Sequence, residues 1–178
     1  MIRLFAALAI PEPIGEGLAR LQSGLPGARW SGLEKLHITL RYFGEMAENR
    51  ADDLGAELSV VSGEPLTVTL AGVGTFGDGF EIDAVWAGVE ANEALRRLAA
   101  RCETAARRAG LAADTRAWRP HVTLAYLRGA EPARVAAWVQ SHNLLRSPPF
   151  RLDAFGLYSS WRGDTGSRYR LERAYPLV

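Results

Sequence analysis

The stretch His37-Ile38-Thr39-Leu40-Arg41-Tyr42-Phe43 returns later in the chain as His121-Val122-Thr123-Leu124-Ala125-Tyr126-Leu127. Each copy reads His, β-branched apolar, Thr, Leu, any residue, Tyr, large apolar. The chain has only three histidines, and two of them sit in this one pattern. Chance produces such a double match on the order of once in several hundred chains of this composition. Side chains alternate between the faces of a strand. His37, Thr39 and Arg41 therefore share one face, with Leu36, Ile38, Leu40 and Tyr42 on the other. The second copy divides in the same way, His121 and Thr123 opposite Val122, Leu124 and Tyr126. Each strand has an apolar face for the core of its own half and a polar face aimed elsewhere. The repeat predicts two similar halves whose polar faces meet across a groove.

Outward from the motifs, Ile2 to Ile10 is a continuous apolar run that reads as a central strand. It is cut off by Pro11-Glu12-Pro13 with no small-residue cleavage signal behind it. Pro13 opens a helix through Ile14, Leu18 and Leu21 that closes near Gly24. The first motif strand ends at Gly44, and a helix follows from Glu48 to about Val61. Leu66, Val68 and Leu70 alternate with threonines as a half-buried strand, and Asp83 to Val89 is its neighbour. Gly72 to Gly79 is glycine-rich without the Gly-Lys-Ser/Thr of a P-loop, and reads as a turn-rich connection. The clearest helix runs from an Asn92 cap to Ala109 and stops at Gly110. A short helix starts at Glu131-Pro132, and strands at Phe150 to Tyr158 and Arg168 to Tyr175 flank a turn at Gly163 to Gly166. Strands and helices do not alternate strictly. The expected fold is α+β, residues 1–178 forming one domain of two pseudo-symmetric lobes, with antiparallel or mixed sheet, outer helices and a central groove.

A chain of 178 residues can bury a sizeable core but not two large ones. The net charge of +1 gives no broad footprint for duplex nucleic acid, although a local basic site fits within a neutral total. One cysteine, Cys102, excludes an internal disulfide framework and suggests a reducing compartment, with the cytoplasm as the default. Its spacing from Leu95, Leu98 and Ala106 places it on the apolar face of a helix, as packing rather than nucleophile. No apolar run reaches membrane-spanning length, and no protein partner is implied. His142 closes a predicted helix and has no Thr two residues on, so a helix-end role suffices for it.

Two imidazoles, each with a hydroxyl two residues on, suit acid–base phosphoryl transfer. An unperturbed imidazole titrates near about 6.5, so one ring can be neutral while the other is cationic. The neutral ring takes a proton from the attacking oxygen, and the cationic ring gives one to the leaving oxygen. Together such transfers lower a barrier by about 5 to 11 kcal/mol. Thr39 and Thr123 can donate to nonbridging phosphate oxygens, and Arg41 on the same face is the expected cation. Two other readings stay open on the residues alone. A strand His followed by Thr can be a satisfied half-buried pair, and paired histidines can bind metal, although neither copy carries a carboxylate or the usual zinc spacing.

The paired motifs, with Arg3-Leu4-Phe5-Ala6-Ala7-Leu8, Arg119-Pro120 before His121, Leu157-Tyr158-Ser159-Ser160, Tyr169-Arg170-Leu171 and Tyr175-Pro176-Leu177, resemble the 2H phosphoesterases across essentially the whole chain. Within that family the chain is most similar to the bacterial RNA 2′,3′-cyclic phosphodiesterases, also described as 2′-5′ RNA ligase-like. The resemblance implies a bilobal fold with both motifs lining a groove. It implies hydrolysis of 2′,3′-cyclic phosphate ends of RNA or nucleotides to 2′-phosphomonoesters, with no metal and no cofactor. On that pattern His37 is the proton donor, His121 the proton acceptor, and Thr39 and Thr123 hold the phosphate. Cleavage or joining of 2′-5′-linked RNA by the same residues, and non-catalytic binding of RNA ends, are the alternatives. One departure is plain: many relatives carry Arg at the position of Tyr126, which leaves Arg41 or Arg128 to supply positive charge.

Overall fold

The computed structural model describes residues 1–178. In chain order the elements are β1 (Ile2–Ala9), α1 (Glu12–Ala19), β2 (Arg29–Trp30), β3 (His37–Met46), α2 (Glu48–Ser59), β4 (Leu66–Val68) and β5 (Leu70–Gly77). They continue with β6 (Ile82–Val89), α3 (Glu93–Arg108), β7 (His121–Tyr126), α4 (Pro132–His142), β8 (Phe150–Leu152), β9 (Ala154–Gly163) and β10 (Gly166–Pro176). Seven strands run side by side in the order β10-β9-β1-β3-β7-β6-β5. β2 adds to β7, and β4 and β8 form a separate pair. Every pairing is antiparallel, so of the two sheet types expected the antiparallel one is realised and the fold is α+β.

The two motif strands, β3 and β7, are neighbours at the middle of the large sheet. They join through one residue pair, Ile38 with Val122. On one side β3 continues into β1, β9 and β10; on the other β7 continues into β6 and β5. These are the two lobes, and one continuous apolar core of 36 buried residues runs behind both. Helices α2 and α3 pack on each other behind the β3 lobe, and α4 packs behind β5. Trp138 of α4 donates its indole N–H to the carbonyls of Leu21 and Ser23 at 3.1 Å, tying the segment after α1 to the second lobe.

Local chemistry explains most boundaries. Asn92 caps α3 by accepting the Leu95 N–H at 2.9 Å, and Gly110 ends it with φ +82°, a conformation costly for any residue with a Cβ. Two expected strands each split, because Leu66–Val68 and Phe150–Leu152 pair with each other and leave the main sheet to β5 and β9. The expected turn at Gly72–Gly79 is instead strand β5 up to Gly77. Gly74 lies opposite Trp86 on β6, and a Cβ there would meet the indole at 2.4 Å. Glycine here admits a neighbouring ring rather than breaking the strand.

The motif strands depart from simple alternation in one matched respect. Ala7 pairs with Thr39 but Ala6 with Arg41, leaving Leu40 as an extra residue. Trp86 pairs with Thr123 but Val85 with Ala125, leaving Leu124 as an extra residue. Each motif therefore carries a bulge immediately after its Thr. A bulge shifts the phase of every side chain beyond it. Tyr42 and Tyr126, expected on the apolar face, are accordingly 41% and 47% exposed, while Phe43 and Leu127 are buried.

Candidate active site

Antiparallel register about Ile38 and Val122 sets His37 opposite Thr123, and Thr39 opposite His121. Four of the five side chains that the sequence singled out for their chemistry thus form a compact square on one face of two adjacent strands. The histidines lie on its diagonal, a spacing of about 7–8 Å between such positions in a regular ladder.

Both rings are oriented by the same local device. His37 Nδ1–H donates to the carbonyl of Lys35 at 2.6 Å, and His121 Nδ1–H donates to the carbonyl of Arg119 at 2.7 Å. A carbonyl only accepts, so Nδ1 carries the proton in each ring and Nε2 is left for chemistry. The Thr39 hydroxyl donates to Nε2 of neutral His37 at 3.1 Å. Aromatic rings of the home lobe pack each imidazole. Phe5 and Tyr169 lie 5.0 and 5.5 Å from His37, and Phe76 and Trp86 lie 4.6 and 6.1 Å from His121.

These surroundings lower both imidazole pKa values. For His37 burial is the main cause, partly offset by the Lys35 carbonyl and reinforced by the charge of His121. For His121 burial again dominates, offset by the Arg119 carbonyl and reinforced by the Arg119 guanidinium. Tyr169, beside His37, has its phenol pushed up to about 12, first by burial and then by the neighbouring Tyr126 hydroxyl.

A cavity of about 930 Å³ opens beside this square, with Thr39, Arg41 and His121 in its lining. His37 and Thr123 are not part of its lining. Arg41 is placed differently from its sequence expectation. Its guanidinium bonds to the Glu103 carboxylate, to the Tyr42 carbonyl, and to the Ala112 carbonyl at 2.8 Å, with Asp114 at 3.8 Å. With that side chain 11% exposed, Arg41 clamps α3 and the segment after it onto β3 rather than standing free for a phosphate. Arg128 does not line the cavity. Arg119 does line it, immediately before the Pro120-His121 step and without a carboxylate partner; in the sequence it stands out only as part of the motif's surroundings. Trp118, also unassigned from sequence, donates its indole N–H to the Thr39 carbonyl at 3.1 Å and pins this segment against β3.

The other chemically notable side chains lie apart from the square. Cys102 is fully buried on α3, and burial pushes its thiol up to about 12. His142 ends α4, its Nδ1–H donating to the Trp138 carbonyl at 2.8 Å. No group of three His, Cys, Asp or Glu side chains converges as a metal-binding set, and no helix is long and apolar enough to cross a membrane.

Comparison with known proteins gives one consistent result. Curated relatives are named RNA 2′,3′-cyclic phosphodiesterase. That of Thermotoga maritima is 26% identical over 178 residues, covering 96% of this chain and 92% of its own. That of Archaeoglobus fulgidus is 29% identical over 134 residues, covering 74% and 76%. Against a longer relative of the same name from Geobacillus stearothermophilus, 29% identical over 127 residues and 68% of this chain, the match spans 40% of that protein's length. Among solved structures, E. coli LigT in complex with 3′-AMP superposes with a TM-score of 0.80 at 25% identity, covering 99% and 98% of the two chains. A Thermus thermophilus protein superposes at 0.81 with 24% identity over 98% and 97%, a likeness of fold. The profile of the 2′-5′ RNA ligase superfamily matches residues 10–164, and the chain belongs to that superfamily of two-histidine phosphoesterases.

Proposed function

We propose that this protein hydrolyses 2′,3′-cyclic phosphate ends of RNA to 2′-phosphomonoesters, using His37 and His121 as acid and base without a metal ion. The reading rests most on the diagonal placement of two Nδ1-anchored imidazoles, each beside the other motif's threonine. In the reaction His121 Nε2 removes a proton from water as the water oxygen bonds to phosphorus. The bond from phosphorus to O3′ breaks, and His37 Nε2–H delivers its proton to O3′. The products are a free 3′-hydroxyl and a 2′-phosphate. Thr39 and Thr123 donate to the nonbridging oxygens as charge develops there, Thr39 turning from His37 Nε2 to the phosphate when substrate enters. The assignment of His37 as acid follows the family resemblance. It also suits the site, because the anionic phosphate offsets the burial that otherwise keeps this ring neutral. Arg41 acts at one remove, by holding the cavity wall, and Arg119 supplies the nearby charge.

The test is hydrolysis of an oligoribonucleotide with a 2′,3′-cyclic end, in chelator, with the product's phosphate position read by mass and nuclease sensitivity. 2′-5′-linked oligoadenylate is assayed in parallel. His37→Ala and His121→Ala should each cut turnover by about 10²–10⁴-fold while the chain stays folded. Hydrolysis unaffected by either substitution refutes the assignment.

A further inference from the structure

The groove has two unlike ends. At one end Tyr126 is occupied: the Arg29 guanidinium lies 5.9 Å from its ring centre, and Tyr169 adjoins its hydroxyl. The hairpin turn at Gly166 lies close to Arg29, within 3.9 Å of a Cβ built there. At the other end Tyr42, 41% exposed against 47% for Tyr126, has no guanidinium over its ring, and it lines the cavity of about 930 Å³ together with Thr39, His121 and Arg96 of α3. That volume is near the top of the about 300–1,000 Å³ span of small-ligand sites. The reacting phosphate uses only the part beside Thr39 and His121, so the remainder has no role in the chemical step.

Its lining suits a single-stranded nucleic acid. Tyr42 presents an exposed ring, and Trp118 forms a wall whose indole N–H is already satisfied. The charged side chains facing the cavity are four arginines, 41, 96, 116 and 119, and two carboxylates, Glu103 and Asp114. Both carboxylates are held by arginine. Glu103 pairs with Arg41, and Arg116 grips Asp114 through two 3.0 Å bonds that keep its pKa down at about 2. Arg96 in turn is bonded to Glu93 on its own helix, so the surplus is one cation, Arg119, in a lining that also holds the Tyr42 and Trp118 rings. Stacked bases and a backbone-tracking positive groove are how proteins hold unpaired RNA.

We propose that this cavity is the subsite for the nucleotides immediately 5′ of the cyclic end, with Tyr42 as a stacking platform, so that the enzyme selects RNA chains over free cyclic mononucleotides. The inference rests on the proposed function and adds a direction: the chain leaves the site past Tyr42 and Arg96, not past Tyr126.

The experiment compares kcat/KM for 2′,3′-cyclic AMP with that for a short single-stranded oligoribonucleotide ending in the same cyclic nucleotide. The unaltered protein should favour the oligonucleotide by about ten-fold or more, mainly through KM. Tyr42→Leu and Arg96→Gln should each bring the ratio toward one, whereas Arg29→Gln at the opposite end should preserve it. Equal kcat/KM for the two substrates overturns the subsite, as does a ratio lost with Arg29→Gln and kept with Tyr42→Leu. Fluorescence anisotropy with a 5′-labelled oligonucleotide carrying a 2′-phosphate is run alongside. Should neither substrate turn over, the functional reading fails on its own, and the subsite is judged by whether Tyr42→Leu weakens this binding. Unweakened binding overturns it.

Discussion

Replacing Arg41 tests how the active site is held together. Its guanidinium bonds to Glu103 and to the carbonyls of Tyr42 and Ala112, and Asp114 stands nearby. Hydrogen bonds to charged groups contribute about 1.5–3 kcal/mol each when well shielded. The Arg41, Glu103 and Asp114 side chains are 11%, 27% and 23% exposed, so water still screens part of the interaction. Discounting for that exposure leaves a coupling between Arg41 and Glu103 of about 1–2 kcal/mol. Arg41→Met keeps the aliphatic stem and should cost about 2–3 kcal/mol, lowering Tm by roughly 4–12 °C in a chain of this size. Glu103→Gln should cost about 1–2 kcal/mol, and the double variant less than the two singles combined. Urea or thermal unfolding of all four proteins, with activity measured on the same samples, closes the cycle. Because the clamp holds the wall beside Thr39 and His121, Glu103→Gln should slow turnover in the same sense as Arg41→Met. Additive stability losses, with activity falling in Arg41→Met alone, would sink this reasoning and return Arg41 to a direct phosphate contact.

The pH dependence of kcat/KM should be bell-shaped with its optimum on the acid side of about 6.5, because burial lowers both imidazole pKa values and the proton donor is lost as pH rises; an optimum above about pH 7.5 contradicts this. The same depressed values make conformational stability highest above about 6.5 and decreasing as pH falls through the folded-state values, since the unfolded chain binds protons first. Urea midpoints between about pH 7.5 and 5 should fall less steeply in His37→Gln than in the unaltered protein. Gly74→Ala drives a methyl group into the Trp86 ring and should cost about 1–3 kcal/mol, measured as a lower Tm, with Gly79→Ala, in open space, as the unaffected control.

Much of this arrangement is legible in the chain. The Asn92 cap, the apolar stripe through Leu95, Leu98 and Cys102 and the Gly110 stop describe α3 to within a residue, because each signal is local. The His-x-Thr faces are equally plain, since alternation holds over three residues. Alternation fails one residue later, at Leu40 and Leu124, where the neighbouring strand decides that an extra residue is accommodated. No local signal marks that choice, so alternation alone puts Tyr42 and Tyr126 on the wrong side. Long-range pairing also hides the split between Leu66–Val68 and Leu70–Gly77, whose partners lie on different parts of the chain. Arg41 is the instructive case: it lies just past the bulge, and Glu103 and Asp114, which take up its charge, are distant in sequence.

The sheet order has a bearing on how the molecule is made. The β3 lobe draws β1 and β3 from early in the chain and β9 and β10 from its later stretch, with β5, β6 and β7 of the other lobe inserted between. During synthesis His121 therefore meets Phe76 and Trp86 from strands already emerged, while the earlier-made His37 waits for Tyr169. Pairings so remote are slow to form, and the first imidazole translated is the last to be walled in. A nascent chain thus remains without the finished pair proposed for proton transfer until the β9–β10 hairpin docks.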